Sequence, residues 1–182
     1  MTTRSQSRPI VCALTILVAA LAGSQDVTRA QDNPQLTRPQ AAMVTDLGNL
    51  SDKFVGLARV MAGKYDWRPG QGVRSVSEVF NLIVTENNML AGLIATGKGS
   101  MAGGAAITDP AALQAALTSS YASVSKALAD VSASDLNASV TLFGQNTTRQ
   151  GAVLMLLLDQ HEHLGQSIAY ARSNSVVPPW SK

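Results

Sequence analysis

Residues 154–172 read LMLLLDQHEHLGQSIAYAR, the longest apolar-periodic run beyond the N-terminus and the home of both histidines of the chain. Apolar residues recur three and four apart, which is the mark of an amphipathic helix. Two stripes run along it. One is Leu154, Leu157, His161, Leu164 and Ile168, and the other is Leu156, Asp159, His163, Ser167 and Tyr170. His161 and His163 look like a paired metal motif. Two residues along a helix turn side chains about 200° apart, however, so one ion cannot take both from one helix. Asp159 and His163 lie one turn apart and share a face. That spacing suits either chelation of a divalent metal or a hydrogen bond that holds the imidazole in one tautomer. His161 reads as a core or edge histidine, with a ligand role only if the helix is locally rotated.

Working upstream, three more helices can pack against this one. Leu47, Leu50, Phe54, Leu57 and Met61 form a single apolar stripe in a helix that starts near Ala41 and ends at Gly63 and Lys64. YDWRPGQGVRS follows as a loop, with Trp67 placed to plug the end of a bundle. Ser75 and Glu78 form a capping box for a second helix that reaches about Thr96. Its inward stripe is Val79, Leu82, Ile83, Glu86, Leu90 and Leu93. Glu86 on that face is either buried, and then paired or metal-bound, or at the edge and in contact with water. Gly92, Gly97 and Lys98 mimic part of a phosphate-binding loop, but Gly99 stands where Ser or Thr belongs and a helix precedes it, so the match is chance.

Asp109 caps a third helix with Pro110 in its first turn and the stripe Leu113, Leu117, Tyr121, Val124 and Leu128. Residues 132–145 read as irregular with at most a short helical turn. Thr147 and Gln150 offer a capping box for the fourth helix. Pro178 and Pro179 keep the tail SNSVVPPWSK extended. No credible strand appears. The expectation is an all-α four-helix bundle, up-and-down or with a longer crossover, whose longest connection joins helices 3 and 4.

The 182 residues suffice for one domain, and only 4% are aromatic, so Leu and small apolar side chains must fill the core. Arg4 and Arg8 precede the uncharged run PIVCALTILVAALAG (9–23), which reads as a signal peptide over residues 1–30 cut after Ala30, or alternatively near Ser24. Residues 31–40 would be a flexible lead-in and 41–182 the domain. Removing 1–30 takes Arg4, Arg8 and Arg29 from 14 basic residues and Asp26 from 12 acidic ones, leaving eleven of each. No basic stripe survives, which argues against nucleic acid. Cys12 leaves with the peptide, so no thiol nucleophile remains. The expected location is secreted or periplasmic, without stable membrane insertion.

Two segments carry a family resemblance. YDWRPGQGVRSVSEVFNLIVTEN (65–87) resembles the link between the first two helices of DinB-like (DinB/YfiT) proteins, and HLGQSIAYARSNSVVPPWS (163–181) resembles the end of their last helix and tail. The resemblance implies a four-helix bundle, often a homodimer, and a divalent metal such as zinc or nickel on three histidines. Here those positions are Leu82, Asp159 and His163, so one histidine of three is kept. A rebuilt site would use Glu86, one turn beyond Leu82, with Asp159 and His163, and His161 as fallback. The resemblance thus leads to an exported binding or structural module whose standard metal site is largely lost. The alternative is a metal-dependent hydrolase or thiol-dependent transferase that uses the variant Glu/Asp/His set on an unknown small molecule.

Overall fold

The computed structural model describes residues 36–181. The expected signal peptide, its cleavage site, Cys12 and residues 31–35 of the lead-in lie outside them. Four long helices carry the fold: α1 (Arg38–Val60), α2 (Val76–Thr96), α3 (Pro110–Asp130) and α5 (Arg149–Ser173), with a single turn, α4 (Ala133–Leu136), before α5. A short 3-10 turn, Ala62–Lys64, follows α1.

The first helix begins at Arg38, three residues before the expected start, so the end of the lead-in is helical. The cause is a capping box: Thr37 accepts from the Gln40 backbone, and the Gln40 side chain accepts from the Thr37 N–H. The buried Gln40 amide also donates to the carbonyls of Leu128 and Val131, both at 3.2 Å, which ties the start of α1 to the end of α3. The ends of α2 and the start of α3 fall where the sequence puts them, on the Ser75–Glu78 box and the Asp109 cap.

Chain direction follows from the hydrogen bonds that join helix ends. After Thr96 the chain does not simply turn back. Residues 97–109 return along α2, and Asn81 near its start grips Ile107 with two hydrogen bonds of 3.0 and 2.8 Å. A Cβ on Gly99 would lie 2.8 Å from the Met89 carbonyl oxygen, so only glycine lets this segment lie so close to α2. The crossover makes α3 parallel to α2. Arg149 at the start of α5 donates to Ile94 at the end of α2 at 2.9 Å, so α5 runs back against α2. The topology is therefore up-down-down-up, with α3 and α5 each packed between α1 and α2. The α3-to-α5 connection is the longest, as expected.

That connection holds an element the sequence reading did not anticipate. Strands β1 (Ser139–Leu142) and β2 (Gln145–Thr148) pair as an antiparallel hairpin. Val140 and Leu142 point into the core while their neighbours face water. The two-residue turn is Phe143–Gly144, with φ of 50° and 77°, the left-handed geometry that a tight hairpin requires. Thr148, the last residue of β2, rather than Thr147 caps α5, accepting from the Gly151 N–H at 3.0 Å.

The core centres on Phe54, Phe80 and Tyr121, whose rings stack or meet edge-on at 6.3 Å. Beside them runs a buried polar chain. Tyr121 Oη donates to Gln160 Oε1 (3.0 Å), Gln160 Nε2 donates to Asn87 Oδ1 (2.8 Å), and Asn87 Nδ2 donates to Ser120 Oγ (3.1 Å). Each group is satisfied, so the chain fixes the register of α2, α3 and α5 without a desolvation penalty. Trp67 closes the bundle end by packing edge-on against Tyr170 at 5.2 Å.

Candidate metal centre

The register set by Asn87 and Gln160 decides what their sequence neighbours meet. Glu86 on α2 and Asp159 on α5 are brought together with His163, one turn further along α5. One ligand atom from each lies within 4.8 Å of the others. His163 Nε2 and Asp159 Oδ2 are 3.6 Å apart. A tetrahedral or octahedral ion with bonds near 2.1 Å separates adjacent ligands by about 3.0–3.4 Å, so closure around a cation needs only small side-chain movements.

Glu86 is the buried member at 5% exposure, and its Oε2 atom has no hydrogen-bond partner. The edge position weighed for it is excluded. Burial, then the charge of Asp159 and the hydrogen bond shared with it, push the Glu86 carboxyl up to about 8, against the opposing pull of Arg74. Near neutral pH, with no cation bound, Glu86 therefore favours its protonated form.

His163 is oriented by a relay that leaves one choice of tautomer. The Tyr170 hydroxyl donates its only proton to the Arg74 carbonyl at 3.1 Å. It must then accept from Gln166 Nε2 at 2.8 Å. This turns Gln166 Oε1 toward His163 Nδ1 at 2.9 Å, and an acceptor there requires Nδ1 to carry a proton. The Nε2 lone pair is left facing the carboxylates, as a metal-ligating imidazole needs. Trp67 packs on Tyr170, so the loop that plugs the bundle also anchors the relay.

The remaining expected residues are placed differently. His161 points outward, 45% exposed, and pairs with Asp46 of α1 at 2.9 Å. It sits at the edge of the bundle rather than in its core, apart from the Glu86, Asp159 and His163 group. Leu154 on the same stripe is exposed as well, whereas Leu157 and Leu164 of that stripe are buried together with Leu156 and Gln160. Leu82 lines the cleft beside the triad, where it cannot ligate. Gln166, Asn87 and Gln160 were not foreseen as parts of the site. Polar residues on the inward stripe of a helix were the signal available for the last two.

The triad opens on a cleft of about 480 Å³ lined by Arg74, Leu82, Met101, Phe143, Met155 and Leu156. Its lining is therefore mostly apolar, with Arg74 the one basic side chain beside the three donors.

A family profile described as the DinB superfamily matches residues 51–167. The fold is similar to the crystal structure of a DinB-like protein from Bacillus subtilis, with a TM-score of 0.63 and 17% identity over 74% of this chain and 92% of that one. It is similar also to a DinB-like protein from Bacillus cereus, with a TM-score of 0.65 and 16% identity over 77% and 95%. No curated protein matches the chain in sequence.

Proposed function

Since this chain belongs to the DinB superfamily, we propose that it holds one divalent metal ion on Glu86, Asp159 and His163 and acts through it on a small molecule in the adjoining cleft. The observation that carries this is a buried Glu86 with an unpartnered Oε2, grouped within 4.8 Å of ligand atoms of Asp159 and of a His163 held as the Nδ1–H tautomer. A buried carboxylate oxygen without a donor is costly, and a cation supplies what it lacks. Three protein donors leave coordination positions open, the pattern of catalytic rather than structural sites. Two carboxylates in place of two histidines shift the preference from nickel toward zinc, manganese or iron.

When bound, such an ion lowers the pKa of a coordinated water or thiol and so supplies a nucleophile near neutral pH. The chain's own part is to hold the donors in register through Asn87 and Gln160 and to fix the imidazole through Gln166 and Tyr170. With Cys12 removed in the proposed signal peptide, no cysteine is left in the chain, and a thiol at this site would come from a second molecule. The reading favoured is a metal-dependent hydrolase or external-thiol transferase. A binding module without turnover is the second reading, supported by Leu82 at the place of a family histidine.

Purified protein equilibrated with zinc, nickel and manganese tests this. One tightly held ion per chain, lost in His163→Ala, is expected. Equal metal content in both proteins would refute it. Export is proposed on the N-terminal run 9–23, and the first residue of the secreted protein checks it. Among the described residues no helix is long and apolar enough to cross a membrane. Homodimerisation is proposed through the outer face of α5, where Leu154 and Leu158 are 46% and 68% exposed. Sedimentation of Leu158→Lys against the parent checks that proposal.

A further inference from the structure

Arg74 lines the cleft, its carbonyl held by the Tyr170 hydroxyl. Its guanidinium makes no ion pair among the described residues, whereas nearby Arg68 is committed to Glu78 at 3.3 Å. Met101, Met155 and Phe143 line the same cleft and are 39%, 40% and 63% exposed. Phe143 is the anomaly among them. It occupies the first turn position of the hairpin at φ 50°, where Asn, Asp or Gly are favoured and a bulky aromatic is strained. Strain of this kind persists where a site keeps the residue for its contacts.

The cleft thus combines an arginine outside any ion pair among the described residues with exposed apolar side chains, within a volume of about 480 Å³ that suits a small organic molecule.

We propose that the ligand of this cleft is a small amphiphilic anion, a carboxylate or phosphate with an aromatic or aliphatic body, whose acid group pairs with Arg74 and whose body packs against Phe143, Met101 and Met155. The cleft is that of the proposed metal site, while the Arg74 and Phe143 contacts do not depend on the metal itself. A guanidinium binds either acid through paired N–H donors, and a flat aromatic with two soft methionines accepts varied apolar bodies.

Calorimetric titration of the manganese-loaded and the chelator-treated protein tests this, with 4-phenylbutyrate, 4-phenylbutyramide, acetate and phenyl phosphate as probes. At least about tenfold tighter binding of 4-phenylbutyrate than of its amide or of acetate is expected, since losing a charged, paired contact or the apolar body costs that much. Arg74→Gln should abolish the preference for acid over amide. Phe143→Asn should raise the unfolding midpoint by about 2–5 °C, because Asn suits the turn, and yet weaken 4-phenylbutyrate about tenfold while leaving acetate unchanged. The comparison with phenyl phosphate tells which acid group is preferred. Equal binding of acid and amide, a preference that survives Arg74→Gln, or full affinity in Phe143→Asn would overturn the proposal. A protein that takes up no manganese but keeps the acid preference after chelation would sink the metal reading alone.

Discussion

Replacing Glu86 by glutamine removes the most strained charge in the protein while keeping its shape, and the consequence depends on pH. The carboxyl lies near 4.5 in an unfolded chain and is pushed up to about 8 in the fold, chiefly by burial. Below pH 4.5 it is protonated in both states and costs nothing. Between 4.5 and 8 the folded state binds the extra proton, so stability falls as pH rises, and above 8 the full cost is present. A shift of that size is an upper limit on the order of 5 kcal/mol. Asp159, whose side chain is 43% exposed, can turn away from the new charge. About 2–4 kcal/mol is therefore the working figure. Urea unfolding at pH 5 and pH 9 with a chelator present measures it. The parent should lose about 2–4 kcal/mol between the two, and Glu86→Gln should lose little, becoming the more stable protein at pH 9. A parent whose stability is the same at both pH values, or a variant with the parent's slope, would refute the reasoning.

Four other outcomes follow. Gln166→Leu removes the acceptor at His163 Nδ1 and should weaken metal binding about 10–100-fold by competition titration, without touching a ligand. Tyr121→Phe leaves Gln160 Oε1 without its donor and should cost about 1–3 kcal/mol in denaturant unfolding. Gly99→Ala forces the crossover off α2 and should cost about 1–3 kcal/mol, with faster hydrogen exchange at Ile107 than in the parent. His161→Ala should change stability by less than about 1 kcal/mol and leave metal content intact, since it removes only an exposed pair with Asp46.

The bundle was legible because its helices announce themselves locally. Ser75 with Glu78 and Asp109 with Pro110 mark their helix starts within a few residues, and the stripes of α2 and α3 survive nearly unchanged as buried residues. The triad was legible for the same reason. Glu86 interrupts an apolar stripe, and Asp159 and His163 sit one turn apart. What the sequence hid depends on contacts between distant segments. QNTT has no apolar alternation, so β2 exists only because β1 pairs with it, and Phe143 disguises a turn that Asn would have revealed. The crossover of residues 97–109 looks like any glycine-rich loop until Asn81 is seen to grip Ile107 from 26 residues away. Asn87 and Gln160 meet across 73 residues, and no local rule joins them. Leu154 and His161 show the limit of a periodic stripe. A helix with apolar residues on two faces does not say which face turns inward, and α5 settles it by packing against α1 and α2 together.

Anomalous diffraction from crystals soaked in zinc or manganese addresses the central claim most directly. The account predicts one ion about 2.0–2.2 Å from an oxygen of Glu86, an oxygen of Asp159 and Nε2 of His163, with the remaining positions open to the cleft. An ion held by His161 and Asp46 instead, or no ion at the triad in fully loaded protein, would contradict it.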